Sequence, residues 1–174
     1  MTRSLCIEYP GAYYHITSRG NERKNIFFNN GERKSFLSYL KSGHLRYSAI
    51  IHAFCLMNNH YHLFMETPLG NLSQIMRHIN GAYTNYFNTK HSRRGHLFQG
   101  RYKAILVEAD SYAGELSRYI HLNPVRAGIV PLTEKFSWSS YQYYIEKKKK
   151  LDWLTVDFIL CYFDKDNLQD RKRY

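Results

Sequence analysis

Two histidines separated by one residue, His60 and His62, are the first candidates for chemistry in this 174-residue chain. They stand at the start of a predicted strand, where alternate residues point to the same face, so both imidazoles are expected to project together while Tyr61 points away. Two imidazoles at this spacing can bind one divalent ion. Since the chain has 9 histidines, such a pair also arises by chance, and two ordinary polar-face histidines are the alternative interpretation.

A second pair, Tyr119 and Asn123, is four residues apart in a predicted helix and therefore shares one helix face. A tyrosine is a useful nucleophile toward phosphodiesters, because the aryl phosphate it forms conserves the energy of the bond. The phenol needs help from a nearby cation, which an amide oxygen can help to hold. The alternative is a buried tyrosine, with an asparagine that ends the helix before Pro124.

The remaining histidines are expected to take no part in such a site. His121 lies two residues from Tyr119, about 200° around the helix, and therefore faces elsewhere. His52 is expected on a sheet face. Four others have no partner at ligand spacing: His15, His44, His78 and His91.

The composition points to an anionic partner. Lys and Arg number 25 against 14 Asp and Glu, which gives a net charge of +11 and a pI of about 9.6. Such an excess attracts polyanions, of which nucleic acid is the commonest. Charge alone equally fits a ribosome-associated protein, a nuclease or a protein of membrane surfaces.

Basic residues gather near the candidate chemistry and in the segment after the first predicted strand. Phe98 and Tyr102 interleave with them, and exposed aromatic rings can stack on unpaired bases. Each cation taken singly is also compatible with a solvated surface charge, so the grouping carries the prediction. The predicted DNA-binding residues are Arg19, Arg23, Lys24, Arg93, Arg94, Arg101, Lys103, Arg118 and Arg126.

Strands and helices that could position these residues follow from the hydrophobic pattern. Strands are predicted at residues 12–18, 47–56, 61–66 and 103–107, and helices at 31–45 and 72–87. Asp110 or Ser111 is expected to N-cap a third helix that runs to about Leu122, since Pro124 disfavours helical geometry in the residue before it. The order predicts an α+β, ferredoxin-like fold, with helices packed on one face of an antiparallel sheet.

One domain at residues 1–140 and a basic C-terminal extension at 141–174 are expected. Four lysines at 147–150 form either a solvated loop or a nucleic-acid contact. The sequence has no apolar run long enough to span a membrane, no secretory signal and only three scattered cysteines, which favours a cytoplasmic protein without a membrane partner.

Three separated motifs resemble the single-tyrosine HUH transposases: HYH at residues 60–62, LFQGRY at 97–102 and YIHLNPVRAG at 119–128. The last motif is most similar to the REP-associated branch, whose members accompany short palindromic repeats in bacterial genomes. The likeness extends over residues 13–128 and includes the three motifs in the family order.

This resemblance implies His60 and His62 as metal ligands and Tyr119 as nucleophile. Asn123 matches the third-ligand position, where the insertion-sequence branch usually has Gln. It implies Mg²⁺ or Mn²⁺ as cofactor, single-stranded DNA with a hairpin as partner, and a monomer or homodimer. The expected reaction cleaves DNA through a 5′-phosphotyrosine and rejoins it. A non-catalytic hairpin-binding regulator and a phosphodiesterase that uses water are the alternatives.

Overall fold

Four strands and five α-helices make up the part of the chain that the computed structural model describes. It covers residues 7–163, without the side chains of 109–111, so Cys6 and the basic residues 171–173 lie outside it. The strands are β1 (Ala12–Arg19), β2 (Ile50–Leu56), β3 (His60–Thr67) and β4 (Lys103–Val107). The helices are α1 (Asn30–Tyr47), α2 (Leu72–Lys90), α3 (Ala109–Arg126), α4 (Tyr141–Tyr144) and α5 (Asp157–Leu160).

The strands form one antiparallel sheet in the order β2-β3-β1-β4, which confirms the predicted α+β class. In the central pair, β1 runs against β3 with Thr17 opposite His62 and Arg19 opposite His60. On its other side β1 pairs with β4, where Thr17 lies opposite Lys103. This register brings basic and imidazole side chains from three strands to one end of the sheet.

One face of the sheet is covered by the two long helices α1 and α2. Tyr61 is fully buried on this face, with its ring centroid 4.7 Å from that of Phe36 in α1. Its hydroxyl donates a 2.6 Å hydrogen bond to Asn80 Oδ1 in α2. Tyr83 of α2 completes the aromatic cluster against Phe36. This face is the apolar core predicted by the amphipathic pattern of both helices.

The opposite face is covered as well, which differs from the expectation that helices pack on one face only. Phe158 of α5 packs on Tyr13 and His52, at ring-centroid distances of 5.3 and 4.8 Å. In α3, His121 is buried and its Nε2 lies 2.6 Å from Ser140 Oγ. Apolar rings on this second face need shielding from water, and α3 and α5 provide it.

Packing continues across residue 140, where a basic extension was expected to begin. Trp153 stacks on Phe54 of β2 with centroids 5.9 Å apart, and the Tyr144 hydroxyl donates to the carbonyl of His52. The amide of Thr155 donates to the carbonyl of Ile51. These contacts attach residues 141–163 to the edge strand β2. Within residues 7–163, no helix has the length and apolarity needed to cross a membrane.

The third helix differs from the prediction at both ends. It begins at Ala109, before either predicted cap, and it continues through Pro124 to Arg126. Proline has no N–H for the carbonyl of Ile120, and the side chain of Asn123 compensates. Its Nδ2 donates to the carbonyls of Tyr119 and Ile120, at 2.8 and 3.3 Å.

The expected start of the second strand at residue 47 is also wrong. Helix α1 extends to Tyr47, and Ser48 then adopts a left-handed conformation with φ of 56° that ends it. The strand begins only at Ile50.

Candidate active site

His60 and His62 project from the face of β3 opposite to Tyr61, as the alternation of the strand predicts. Their ring centroids lie 5.2 Å apart. His62 is buried, with 6% of its surface exposed, whereas His60 is half-buried. The two imidazoles therefore form a pair at the floor of a cavity rather than two surface side chains.

A third imidazole, His15 on β1, joins this pair. Its Nε2 lies 3.0 Å from Nδ1 of His62, close enough for a hydrogen bond. The expectation that His15 has no partner at ligand spacing is therefore wrong. The two residues are 47 positions apart, and only the β1–β3 register places them side by side.

Tyr119 lies on the same side of the sheet, carried there by α3. Its ring meets those of His15 and His62 edge-on, with both centroid distances at 5.8 Å. The side chain is 36% exposed. It lines a cavity of about 500 Å³ together with His15, His60 and His62. The predicted nucleophile and the predicted metal-binding histidines thus face one solvent-accessible space.

The three imidazoles are neutral at physiological pH. Burial, reinforced by the neighbouring His60, His15 and Arg19, lowers the pKa of His62 to about 3. Burial and then the charge of Arg19 lower the pKa of His60 to about 4. Burial also lowers the pKa of His15. Neutral imidazoles have the lone pair that a metal ion requires.

Hydrogen bonding leaves one nitrogen of His60 suited to bind a metal. Its Nδ1 lies 2.6 Å from Oδ1 of Asn59, which only accepts, so Nδ1 carries the hydrogen. The lone pair is then on Nε2. A metal-binding histidine characteristically donates its other ring N–H in this way, so the local structure fits a divalent ion.

Asn123 does not line the cavity, although it shares a helix face with Tyr119 as predicted. Its Nδ2 is hydrogen-bonded to the α3 backbone, and its role as third metal ligand stays a prediction. Over residues 7–163, no three histidine, cysteine or acidic side chains form a complete metal site.

Four of the predicted DNA-binding cations surround the cavity. Arg19, Arg101 and Lys103 are exposed and belong to its lining. The guanidinium of Arg126 lies over the ring of Tyr119, 5.3 Å from its centroid. These four cations give the surroundings of the cavity a positive charge, which attracts phosphate groups.

The other predicted cations lie elsewhere. Arg93 and Arg94 line a small depression at the end of α2, and Arg23 is exposed in the segment after β1. Lys24 forms a 2.6 Å ion pair with Glu22. Arg118 is half-buried, with its guanidinium 4.8 Å from the ring centroid of Phe163.

A second concave surface, which we call the α2 groove, lies across the 96–102 segment from the cavity. Gln99, Gly100 and Arg101 line both spaces. The groove has a volume of about 910 Å³ and no acidic residue in its lining. The α2 residues that contribute most to its polar character are Arg77, Asn80, Thr84 and Asn85.

This α2 groove was not predicted from the sequence. The sequence pattern that corresponds to the groove is a stripe of polar or small residues at helical spacing, residues 77, 80, 81, 84 and 85, beside the buried face of α2. Phe98, expected to be exposed for stacking, is 8% exposed and packs against Tyr61. Tyr102 is half-buried and does line the groove.

Comparisons with known proteins identify the family of the chain. Residues 8–123 match the model of the family described as "Transposase IS200 like", a range that includes both histidines of the pair and Tyr119. The chain belongs to the IS200-like transposase family. A search of curated proteins found no match.

Among solved structures, the chain is similar to a REP-associated tyrosine transposase bound to a REP hairpin. The TM-score is 0.71 at 16% identity, with 89% of this chain and 92% of that chain covered. A weaker similarity, with a TM-score of 0.51 at 8% identity, is to the tRNA(His) guanylyltransferase of Saccharomyces cerevisiae. It covers 98% of this chain and 79% of that chain. At these identities the similarities show a shared fold.

Proposed function

We propose that this protein cleaves and rejoins single-stranded DNA next to hairpins through a covalent tyrosine–DNA intermediate. The observation that carries the proposal is the position of Tyr119, edge-on to His15 and His62 in a cavity that is open to solvent. Membership of the IS200-like transposase family supports it. The hairpin in the similar solved structure supports a palindromic repeat as substrate and a place in the REP-associated branch.

The tyrosine supplies the nucleophile. Its hydroxyl oxygen attacks the scissile phosphorus, a new P–O bond forms, and the bond to the 3′ oxygen of the preceding nucleotide breaks. That oxygen leaves as a 3′-hydroxyl after taking up a proton, and the phosphate stays on Tyr119 as a 5′-phosphotyrosine. A second 3′-hydroxyl reverses the step and releases the tyrosine, so no nucleotide cofactor is required.

His60 and His62 would hold a divalent ion, Mg²⁺ or Mn²⁺, with Asn123 as the third protein ligand if its side chain turns toward the cavity. Such an ion, when bound, supplies polarisation of the scissile phosphate. His60 is held for this role by Asn59, which fixes the hydrogen on Nδ1.

The cations around the cavity bind the DNA strand. Arg19, Arg101 and Lys103 neutralise phosphates near the reacting one, which strengthens binding without reading sequence. The α2 groove extends this surface past the 96–102 segment. Amide side chains such as Asn85 can form hydrogen bonds with the edges of unpaired bases, and Arg77 can bind the backbone.

A gel experiment tests the proposal. Labelled hairpin oligonucleotides with single-stranded flanks are incubated with the protein and Mn²⁺, and the products are separated under denaturing conditions. Wild-type protein is expected to give a protein-linked DNA band, and Tyr119→Phe to give none while it still binds the hairpin. Tyr112→Phe is a matched control, because Tyr112 is an exposed tyrosine of the same helix outside the cavity lining. An adduct of undiminished yield in Tyr119→Phe would exclude this tyrosine as the nucleophile.

A non-catalytic hairpin-binding regulator is the second candidate function. The observation that favours it is the side chain of Asn123, which is hydrogen-bonded into its own helix and does not line the cavity. Tight hairpin binding without any cleavage, in either Mg²⁺ or Mn²⁺, would support this candidate over the first.

A further inference from the structure

We propose that His15 is a positioning residue that fixes the tautomer of His62 and the orientation of its ring. The effect of this residue on DNA cleavage rests on the proposed function. The tautomer itself is a property of the protein alone and is measurable without DNA or metal.

The geometry places the two imidazoles edge to edge. His15 Nε2 and His62 Nδ1 are 3.0 Å apart. The ring planes are inclined by only 14° and the centroids are 5.3 Å apart. Two rings in nearly one plane with adjacent nitrogens have the arrangement of an N–H···N hydrogen bond. The bond joins the two central strands of the sheet, so its ends are held by the backbone register.

Only one hydrogen can occupy the space between the two nitrogens. If His62 Nδ1 carries it and donates to His15, the lone pair of His62 is on Nε2. If His15 Nε2 carries it, His62 accepts at Nδ1 and its hydrogen must sit on Nε2. A nitrogen that carries a hydrogen cannot bind a metal, so the two arrangements differ in whether His62 can be a ligand.

The first arrangement is the one that we assign. It gives His62 the same tautomer as His60, whose Nδ1 hydrogen is directed at Asn59 Oδ1. Both histidines then have their lone pair on Nε2, the ring nitrogen not engaged by these hydrogen bonds. Asn59 positions one imidazole and His15 positions the other, one from the turn before β3 and one from the neighbouring strand.

Contact with Tyr119 gives His15 a second effect on the site. The tyrosine ring meets His15 edge-on at 5.8 Å and at an angle of 80°. A residue that fills this space also limits the positions of the phenol. A test therefore has to separate loss of the hydrogen bond from loss of ring volume.

Two substitutions make this separation. In His15→Gln, the amide oxygen can take the place of Nε2 and accept from His62. In His15→Leu, much of the side-chain volume is kept but no acceptor remains. His78→Gln is the matched control, because His78 is a half-buried histidine of α2 bonded to Ser42 and lies outside the cavity lining.

The first measurement is the tautomer of His62, from long-range ¹H–¹⁵N correlation spectra of the metal-free protein at neutral pH. Wild type, His15→Gln and His78→Gln are expected to show hydrogen on Nδ1, whereas His15→Leu gives a mixture of both tautomers. Hydrogen on Nε2 in wild type, or an unchanged His62 tautomer in His15→Leu, would overturn the proposal.

The second measurement is the affinity for Mn²⁺ by calorimetry. His15→Leu is expected to bind about 10- to 100-fold more weakly, the usual effect of removing a residue that orients a metal-binding histidine. His15→Gln is expected to stay within a few-fold of wild type. Loss of affinity in both variants with the tautomer unchanged would instead make His15 a direct ligand and overturn the positioning role. A tautomer shift in a protein that never forms a DNA adduct would leave this proposal standing and remove the proposed function.

Discussion

The two faces of strand β3 have the same backbone and opposite roles. On one face, Tyr61 is fully buried between α1 and α2, and burial raises the pKa of its phenol far above the ordinary value. On the other face, His60 and His62 border a cavity into which Tyr119 projects with 36% of its surface exposed. Two tyrosines thus lie on either side of one strand, and only one is accessible to a substrate.

The packing over a face of the sheet, more than the types of its residues, therefore decides whether a side chain on that face can react. Helices α1 and α2 fill the first face with rings, and the Tyr61 hydroxyl is held by hydrogen bonds to the side chains of Asn80 and Ser18. Helix α3 lies over the second face less completely, since the end of the sheet near Arg19 and His60 stays uncovered. Substitutions on the filled face and on the open face of the sheet can test this difference between them.

Replacing His62 by Ala should separate activity from stability. We expect the rate of DNA cleavage to fall about a thousandfold, or about 4 kcal/mol in activation free energy, because the proposed metal site would lose one of its two histidines. The free energy of unfolding should fall by only about 1–2 kcal/mol, because the side chain borders a cavity and its removal loses one hydrogen bond and little packing. Cleavage rates and urea unfolding curves measure the two quantities. Cleavage at the wild-type rate would show that His62 is not part of the reaction centre.

Replacing the adjacent Tyr61 by Ala should have the opposite pattern. Its ring is packed on Phe36 and Phe98, and we expect the free energy of unfolding to fall by about 3–5 kcal/mol. Tyr61→Phe keeps the ring, loses the hydrogen bonds of the hydroxyl to Asn80 and Ser18, and should cost about 1–2 kcal/mol. Urea denaturation at 25 °C compares the two variants with wild type. A loss below 1 kcal/mol in Tyr61→Ala would contradict the assignment of this face as core.

The face of the sheet covered by α1 and α2 also contains a buried carboxylate, whose protonation should destabilise the protein in acid. Burial alone would raise the pKa of Glu32, but hydrogen bonds from the Phe28 amide, Lys90 and His91 outweigh it and hold the pKa at about 2. A carboxylate whose pKa is lower in the folded than in the unfolded state stabilises the folded protein at pH values above the unfolded-state pKa. This stabilisation is lost as the pH falls toward the folded-state pKa.

We therefore expect on the order of 2–3 kcal/mol of stability to disappear between about pH 4.5 and pH 2. Unfolding free energies measured across this range test the effect. The variant Glu32→Gln should be less stable at neutral pH and should show a flatter acid dependence. An equally steep dependence in that variant would assign the acid sensitivity to other carboxylates.

The smallest effect is expected at the rim of the cavity. Arg101→Gln should weaken binding of a flanked hairpin a few-fold and reduce the slope of log affinity against log salt by about 1. Lys41→Gln, an exposed cation on α1 outside both the cavity and the groove, is the control and should leave the slope unchanged. Fluorescence anisotropy at several salt concentrations gives both values. Equal slopes of log affinity against log salt in Arg101→Gln and Lys41→Gln would show that the DNA does not contact Arg101.

Local periodicity was sufficient to predict part of the site. The alternation of β3 places His60 and His62 on one face, and the helical repeat places Tyr119 and Asn123 together on α3. Each inference needs only the geometry of one element. Element order also predicted the antiparallel sheet, because short connections and amphipathic helices leave few topologies.

Contacts between distant segments could not be predicted in this way. His15 reaches His62 through the pairing of strands 47 residues apart, and a shift of one residue would turn it to the other face. The continuation of α3 past Pro124 leaves the carbonyl of Ile120 without its backbone donor, and the Asn123 side chain donates to this carbonyl instead. The attachment of residues 141–163 depends on individual contacts such as Trp153 on Phe54.

Mass spectrometry of the DNA-linked protein tests the central claim most directly. After reaction with a flanked hairpin, the protein is digested with nuclease and trypsin. Trypsin cleaves after Arg118 and after Arg126, so a nucleotide should remain on the peptide of residues 119–126. We predict that fragmentation places the added mass on Tyr119 and that no other tyrosine peptide is modified. A nucleotide on a different residue, or a cleaved hairpin with no modified peptide, would contradict the account.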